Sequence, residues 1–598
     1  MALKRMSQLS VTVPRNVSIP ATASICGERN GNASGLCGRS SFFLVQCLGG
    51  RKVNRFSEDM TCAPVFPNQK ATIMTGVKGN FTADIVVVGS GMGGAFTALG
   101  LARSGLSILV LESGGLPDVA HVGLAQRALS RLTHRRIARK GRWPGMLRVH
   151  AGEGDGECVY PGALGHGVGG SGAIYGAALG RFRRSDFERD DCTGLAAGAW
   201  GNVLANDWPV RAAEMFSAYD EAEALLGVVG GRDPLEDDLA QPLPPADISP
   251  RDRDISELLR QGGAHPYRLP VGIDYEFLRR GASELEGRRN GWNSGLELAV
   301  QQGRLTLRTD VHVTAITRIT GGLSLHLVGG GTIEARQVVL AAGALNTPRI
   351  LMASPDLFGG PLPDMLGRGL MFHKSDFFYT RACGDQSTSG PRKSIALRDG
   401  YVLPSGRPGG EVQSLPIRLG TELISEILGR DGAGTRTGAA IRLLRRLPGQ
   451  IRDTGVDIGR LTLFATILED MPYTGNRVLA SDGRQAGDIG IIYHESDELR
   501  DRQTELRHVI RTMFGEAGSG FLSIGEKQMN WGHPCGTCRM GLDPASSVTD
   551  ADGRLHGMED IRIADASTFA SSAGTNPGLT VVAQALRVAS ALRADLAN

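Results

Sequence analysis

The chain has 598 residues and carries 65 Lys and Arg against 62 Asp and Glu, a formal charge of +3. That length is enough for two substantial lobes, and so balanced a charge gives no global pointer to nucleic acid. With 41% hydrophobic residues and no apolar run near the ~20 residues that a bilayer crossing needs, the composition is that of a large soluble protein without a transmembrane segment.

Residues 1–75 read differently from the rest. Up to residue 55 there is a single acid, Glu28, among Ser, Asn, Gly, scattered Arg and Cys26, Cys37 and Cys47, with no sustained period of 3.6 or 2. Such a stretch buries too little to order itself. It reads either as an organelle transit peptide, since those are Ser- and Arg-rich and acid-poor, or as an over-extended translation start, with Met74 a few residues before the first strand. The second reading is preferred. A secretory signal is not supported, because no long apolar core follows the early charges, and a cytoplasmic location is expected.

Residues 83–88, Ala-Asp-Ile-Val-Val-Val, read as a buried strand. Gly89-Ser-Gly91-Met-Gly-Gly94 reads as a turn, residues 95–104 as a helix with small residues facing the sheet, and residues 107–111 as a second strand ending on Glu112. This is the order of a dinucleotide fingerprint. Its glycines permit a tight turn and close approach to a pyrophosphate, the helix N-terminus favours the anion, and the acid takes ribose hydroxyls. An acid at Glu112 suits an unphosphorylated ribose, which disfavours NADP; FAD and NAD both remain open on this motif alone.

Basic residues cluster at 127–142 and again at 436–447, where Arg442, Arg445 and Arg446 interleave with Leu443, Leu444 and Leu447. These are read first as solvated helix faces, with docking on an anionic membrane or an acidic electron-transfer protein as the alternative. Residues 290–302 read as a helix, and residues 305–316, 321–328 and 331–340 as short alternating strands of a meander. The nine cysteines are dispersed. Cys535-Gly-Thr-Cys538 has the spacing of half a zinc site, but no second pair completes it. Two small buried residues are expected there and no metal, a reversible disulfide being the alternative.

The tail carries the chemistry. His533 lies in Trp531-Gly-His-Pro-Cys-Gly-Thr-Cys-Arg-Met-Gly541, and Asn576-Pro577-Gly-Leu-Thr580 follows it, opening a helix over residues 579–592. Between them, residues 555–565 form a turn and a strand that ends on Asp565. With Gly165-His-Gly-Val-Gly169-Gly170-Ser171-Gly-Ala-Ile-Tyr175 and Gly343-Ala-Leu-Asn-Thr-Pro348-Arg-Ile-Leu-Met-Ala-Ser354, the chain resembles the glucose-methanol-choline (GMC) oxidoreductases, flavoenzymes that take hydride from alcohols. The resemblance runs in order from about residue 83 to residue 596. His166, Tyr175 and the Ser354-Pro355 step depart from the family's usual residues and mark a divergent branch.

The resemblance implies an α/β fold: a Rossmann-like FAD-binding domain with a β-meander, from residues 81–185, 281–354 and 531–598, and an α+β substrate-binding domain from 186–280 and 355–530. It implies that Gly169, Gly170, Ser171 and Tyr175 lie against the pyrophosphate and flavin, that Ala342, Gly343 and Pro577 are further cofactor contacts, and that the Val313 main chain meets the adenine. Asp565 is either a contact near the ribityl chain or a turn-capping acid. Ile174 occupies the position of the histidine that links flavin covalently in some members, so FAD is expected to be non-covalent.

The implied reaction oxidises a CH–OH group. His533 is the expected base, since an imidazole titrates near working pH; the Asn576 amide would hold the alkoxide oxygen, flavin N5 would accept hydride, and the last helix would aim its N-terminus at the flavin's anionic edge. Oxygen, a quinone or a redox protein would reoxidise the flavin. Hydroxynitrile lyases share the scaffold, so a lyase or a degenerate flavoprotein are the rival readings. His373, in Gly367-Arg-Gly-Leu-Met-Phe-His373, resembles a family element entering the substrate domain and is expected to be structural.

Overall fold

The run Ile85-Val86-Val87-Val88 is β-branched and buried on both faces, as a central strand of a parallel sheet must be. It belongs to the strand Phe81–Val88, which pairs in parallel with Ile108–Leu111 on one side and Thr332–Leu340 on the other. Thr306–Thr309 and then Ile73–Thr75 extend the sheet beyond Ile108–Leu111, again in parallel. Thr332–Leu340 is the joint of the layer. Its first half also pairs antiparallel with Gly322–Leu327, which pairs with Val313–Ile319, and its last residues pair in parallel with Ile561–Ile563. Strands far apart in sequence therefore end at one rim, which is where ligands of doubly wound sheets bind.

This computed structural model describes residues 73–75, 81–116, 145–150, 156–161, 164–188, 203–204, 207–236, 241–280, 284–381, 393–415, 461–481, 487–515 and 529–597. All of them belong to one unit, Asn68–Asn598. A second sheet, entirely antiparallel, is built around Leu461–Glu469, with Gly410–Ser414 on one side and His373–Lys374 and Phe377–Arg381 on the other; Ile395–Leu397 and Tyr267–Arg268 continue it past Gly410–Ser414. The helices Pro250–Gln261 and Asp497–Phe514 pack on this sheet through Ile255, Leu259, Leu506, Ile510 and Phe514. Both start where a serine hydroxyl, of Ser249 or Ser496, accepts the N–H three residues on, a cap worth about 1 kcal/mol. Phe378, Phe464 and Phe514 pack ring against ring in that core, each adding about 1.5–3 kcal/mol of apolar burial.

A third, four-stranded sheet joins Met146–His150 and Glu157–Pro161 to Ile489–Ile492 and Arg477–Val478. It ties a hairpin from the first expected domain to strands of the second.

Several boundaries differ from the sequence reading. The first helix is Met92–Leu101 and starts inside the glycine turn, because its first residues must lie against backbone: a Cβ on Gly93 or Gly94 would stand 1.9 Å from the carbonyl oxygen of Ala564 or Gly89. Residues 290–302 are not one helix, since Gly295 at φ 142° breaks them into a π turn and the short helix Glu297–Gln301. The expected strand at 305–316 is two, separated at Asp310 with φ 59°, where the chain leaves the parallel sheet for the meander. The last helix is longer than expected, Gly578–Ala597. Met74 lies inside the edge strand Ile73–Thr75 rather than before the first strand. The leader up to residue 72, with its three cysteines, and the basic clusters at 127–142 and 436–447 lie outside the described residues. Among the described residues no helix is long and apolar enough to cross a membrane.

Candidate active site

At the rim where Phe81–Val88, Ile108–Leu111 and Thr332–Leu340 end lies a cavity of about 430 Å³, walled by both glycine turns and by Glu112, Asp565, His533 and Asn576. Gly89 must be glycine: its φ is +102°, and a Cβ there would stand 2.3 Å from the Ala341 carbonyl oxygen. Gly91 caps the helix Met92–Leu101 with no side chain, so the orphan N–H groups of the first turn are left for an anion. Gly170, at φ +52°, lies back to back with Gly91; a Cβ on it would come 2.9 Å from the Gly91 Cα. Gly94 and Gly169 are not on the cavity wall but shape it, the first by packing on Gly89 and the second through its N–H to the Ser90 carbonyl at 3.2 Å.

The other expected cofactor positions, Ser171, Tyr175, Val313, Ala342, Gly343 and Pro577, all line the cavity. The Tyr175 hydroxyl donates to the Arg289 carbonyl, which leaves its ring as the wall. Glu112, buried, accepts from the Ser90 N–H at 3.1 Å, the Ser90 hydroxyl at 2.7 Å and the Gly114 N–H at 2.9 Å. Asp565 both lines the cavity and ties it together, accepting from the Gly343 N–H at 2.9 Å, the Thr347 hydroxyl at 2.6 Å and the Ser567 N–H at 2.8 Å. Burial raises its pKa.

His533 reaches the same wall from the side of the second sheet. The segment carrying it runs antiparallel to Met371–Lys374, with Cys535 bridged to Met371 and Met529 to Lys374, and this register sets His533 against His373. Their Nδ1 atoms are 3.2 Å apart and the rings perpendicular, at 88°. The His533 Nε2 faces the Asn576 Nδ2 at 3.4 Å. Burial, and then the neighbouring His373 and Lys393, hold the His533 pKa well below the ordinary imidazole value. A ring in that state is unprotonated and can receive a proton. Cys535 and Cys538 are free, buried thiols between Met371 and residues 566–568, and burial pushes both thiol pKa values well up.

Sequence reasoning missed the residues behind the pair. Gln413 Nε2 donates to the Asn576 Oδ1 at 2.5 Å and also to Glu411, which is fully buried and takes the Arg398 Nε–H at 2.6 Å. His373 is fully buried and its Nε2 meets the Ala573 carbonyl at 3.0 Å. Burial drives its pKa down to about 4. Gln413 and Glu411 sit on a strand with no motif around them, so no local signal marks them; the Gly-Arg-Gly-Leu-Met-Phe-His run did flag His373.

The family profile described as GMC oxidoreductase matches residues 518–585, the stretch that holds His533 and Asn576. The chain is 28% identical to the paromamine 6'-oxidase of Streptomyces fradiae, over 86% of this chain and 92% of that one. It is 24% identical to the 2-methyl-1,2-propanediol dehydrogenase of Mycolicibacterium austroafricanum, over 84% and 94%. Among solved structures it resembles pyridoxine 4-oxidase from Mesorbium loti, with a TM-score of 0.56 at 20% identity, covering 85% of this chain and 98% of that one. Residues 518–585 thus match the GMC oxidoreductase profile, and the chain resembles oxidoreductases along most of its length. The cradle fits FAD: uncapped amides beside glycines for a pyrophosphate, an acid for a ribose, and a helix N-terminus at Pro577 and Gly578 on the wall beside His533.

Proposed function

We propose that this protein oxidises a CH–OH group of a small-molecule alcohol to a carbonyl, with His533 as the base and Asn576 as the residue that holds the oxygen. The observation that carries this reading is the convergence of the His533 Nε2 and the Asn576 Nδ2 on one cavity wall, 3.4 Å apart. An alcohol between them would give its proton to Nε2 and accept a hydrogen bond from Nδ2, so negative charge would build on an oxygen already held. FAD, when bound, supplies the hydride acceptor. Both side chains are half-buried on the cavity wall, and desolvation there keeps the imidazole in its neutral, accepting form.

The same reading assigns cofactor contacts to Gly89, Gly91, Glu112, Gly170, Ser171, Tyr175, Val313, Ala342, Gly343, Asp565 and Pro577, with Gly94 and Gly169 shaping the turns. The FAD-binding domain would comprise 81–185, 281–354 and 531–598. FAD would be non-covalent, because Ile174, which closes the short helix Gly170–Ala173, has no side-chain nucleophile. Oxygen, a quinone or a redox protein would be the acceptor.

The test is an anaerobic screen of the FAD-loaded protein against paromamine, 2-methyl-1,2-propanediol, pyridoxine and a panel of primary and secondary alcohols, following loss of the flavin's visible absorbance. Bleaching by one class supports the reading and names the substrate class. A flavin that no alcohol bleaches, in a protein that instead cleaves cyanohydrins, would replace it with a lyase.

A further inference from the structure

The imidazole of His533 has two neutral forms and the Asn576 amide two orientations, giving four combinations, of which one presents a bare Nε2 beside an N–H donor. Two buried acceptors that cannot change roles stand at the ends of the hydrogen-bond chain that contains this pair. One is the Glu411 carboxylate, ion-paired with Arg398 at 2.6 Å and also taking the Tyr267 hydroxyl at 3.1 Å and the Thr575 hydroxyl at 3.2 Å. The other is the Ala573 backbone carbonyl.

Each end dictates the middle. A carboxylate only accepts, so the Gln413 atom facing Glu411 is the amide nitrogen, and the same nitrogen donates to Asn576. The Asn576 atom facing Gln413 is then its oxygen, and its Nδ2 faces the His533 Nε2, which must be bare to accept. From the other side, a carbonyl only accepts, so the His373 Nε2 carries the proton. With its ring neutral in a buried site, the His373 Nδ1 is bare and takes a hydrogen from the His533 Nδ1 at 3.2 Å. Both chains arrive at one tautomer: Nδ1–H, Nε2 bare.

Asn530 opposes it. Its Oδ1 takes the Gly532 N–H at 3.2 Å, which turns Nδ2 toward the His533 Nδ1, also at 3.2 Å. The opposite tautomer would satisfy that contact and set two others donor against donor and acceptor against acceptor, both anchored by groups that cannot switch. Turning the Asn530 amide over relieves the contact at His533 and leaves one donor against the Gly532 N–H at 3.2 Å, a single mismatch against the two that the opposite tautomer creates, and such amide orientations follow the network around them.

We propose that Gln413 and His373 are positioning residues that jointly lock His533 and Asn576 in the one hydrogen-bonding state able to take a hydroxyl proton, each from one side. The value of that state rests on the functional reading above; the lock itself does not. The experiment is long-range ¹H–¹⁵N correlation of the full-length, FAD-loaded protein labelled with ¹⁵N-histidine, with His533→Ala assigning the His533 signals among the 12 histidines. The expected spectrum shows His533 as a single neutral tautomer with Nδ1 protonated. Gln413→Met and His373→Phe should each keep that tautomer, because one side still dictates it, and the double variant should give a mixture. A wild-type His533 protonated on Nε2, or as a mixture, would overturn the proposal even if the double variant fails to fold; so would a double variant with the wild-type spectrum. No turnover is needed, so a flavin that no alcohol reduces would remove the functional reading and leave the lock standing.

Discussion

Replacing His373 by Phe keeps a ring of similar volume while removing both ring nitrogens. In the wild type this imidazole is fully buried and its pKa falls from the ordinary 6.5 to about 4, chiefly through burial. Between those two values the unfolded chain binds a proton that the folded protein refuses. Stability from this group is therefore complete above the unfolded pKa and is lost as pH falls toward the folded one. A drop of roughly 2.5 units at about 1.4 kcal/mol per unit amounts to about 3.5 kcal/mol in full, of which about 3 is lost by pH 4. Asp470 acts in the opposite sense: burial raises its pKa to about 7, so its contribution is full below the ordinary carboxylate value and is lost as pH rises through neutrality. It is present in both proteins and cancels in their difference.

The assay is urea unfolding of wild type and His373→Phe at matched FAD excess from pH 7.5 to 4, followed by tryptophan fluorescence. Trp531 packs edge-on against Phe372, with ring centroids 4.9 Å apart, and so reports on this region. At neutral pH the variant should be the less stable, having lost the bond to the Ala573 carbonyl. The gap should close by about 3 kcal/mol on going to pH 4. A gap that stays constant over that range would refute the picture of a buried neutral imidazole.

Four further outcomes are expected. His533→Ala should retain FAD and slow anaerobic flavin reduction by at least ~10²-fold, while Asn576→Ala slows it with a smaller change in pH dependence, because an amide positions and does not titrate; wild-type reduction in His533→Ala would exclude the histidine as base. Gly89→Ala should purify without flavin, since its Cβ meets the Ala341 oxygen at 2.3 Å, whereas Gly105→Ala, with open space around a φ of +79°, should keep it. Acid precipitation should release the flavin to the supernatant, and colour in the pellet would count against the Ile174 argument. A chain starting at Met74 loses Ile73 from a strand that, among the described residues, pairs with Thr306–Thr309 alone and should still bind FAD, as flavin absorbance after gel filtration would show.

Local physics wrote much of this protein into the sequence. A β-branched run ending in glycines and an acid one strand later can do little else than make the turn at Gly89, Gly91 and Glu112, because steric limits on φ and the need to bury the run act within about 30 residues. His533 and Asn576 stand out in the sequence for the same reason, each lying in a short, distinctive run, and the fold brings both to one cavity wall. Where the pattern misled, at the break on Asp310 and the kink at Gly295, alternation or helical spacing continued through a point where the chain meets a distant segment: the Asp310 N–H goes to the Gly114 carbonyl, and Gly295 lies against Leu99. The tertiary structure alone decided which groups stand behind His533 and Asn576. Gln413 and Glu411 come from one strand of the second sheet, Arg398 from just past another, His373 from the sheet's edge and Ala573 from the tail, and the contacts of Gln413 with Asn576 and of His373 with His533 span 163 and 160 residues. A hydrogen bond needs its donor and acceptor within about 3 Å and correctly aimed, and only the packing of the second sheet against the tail supplies that.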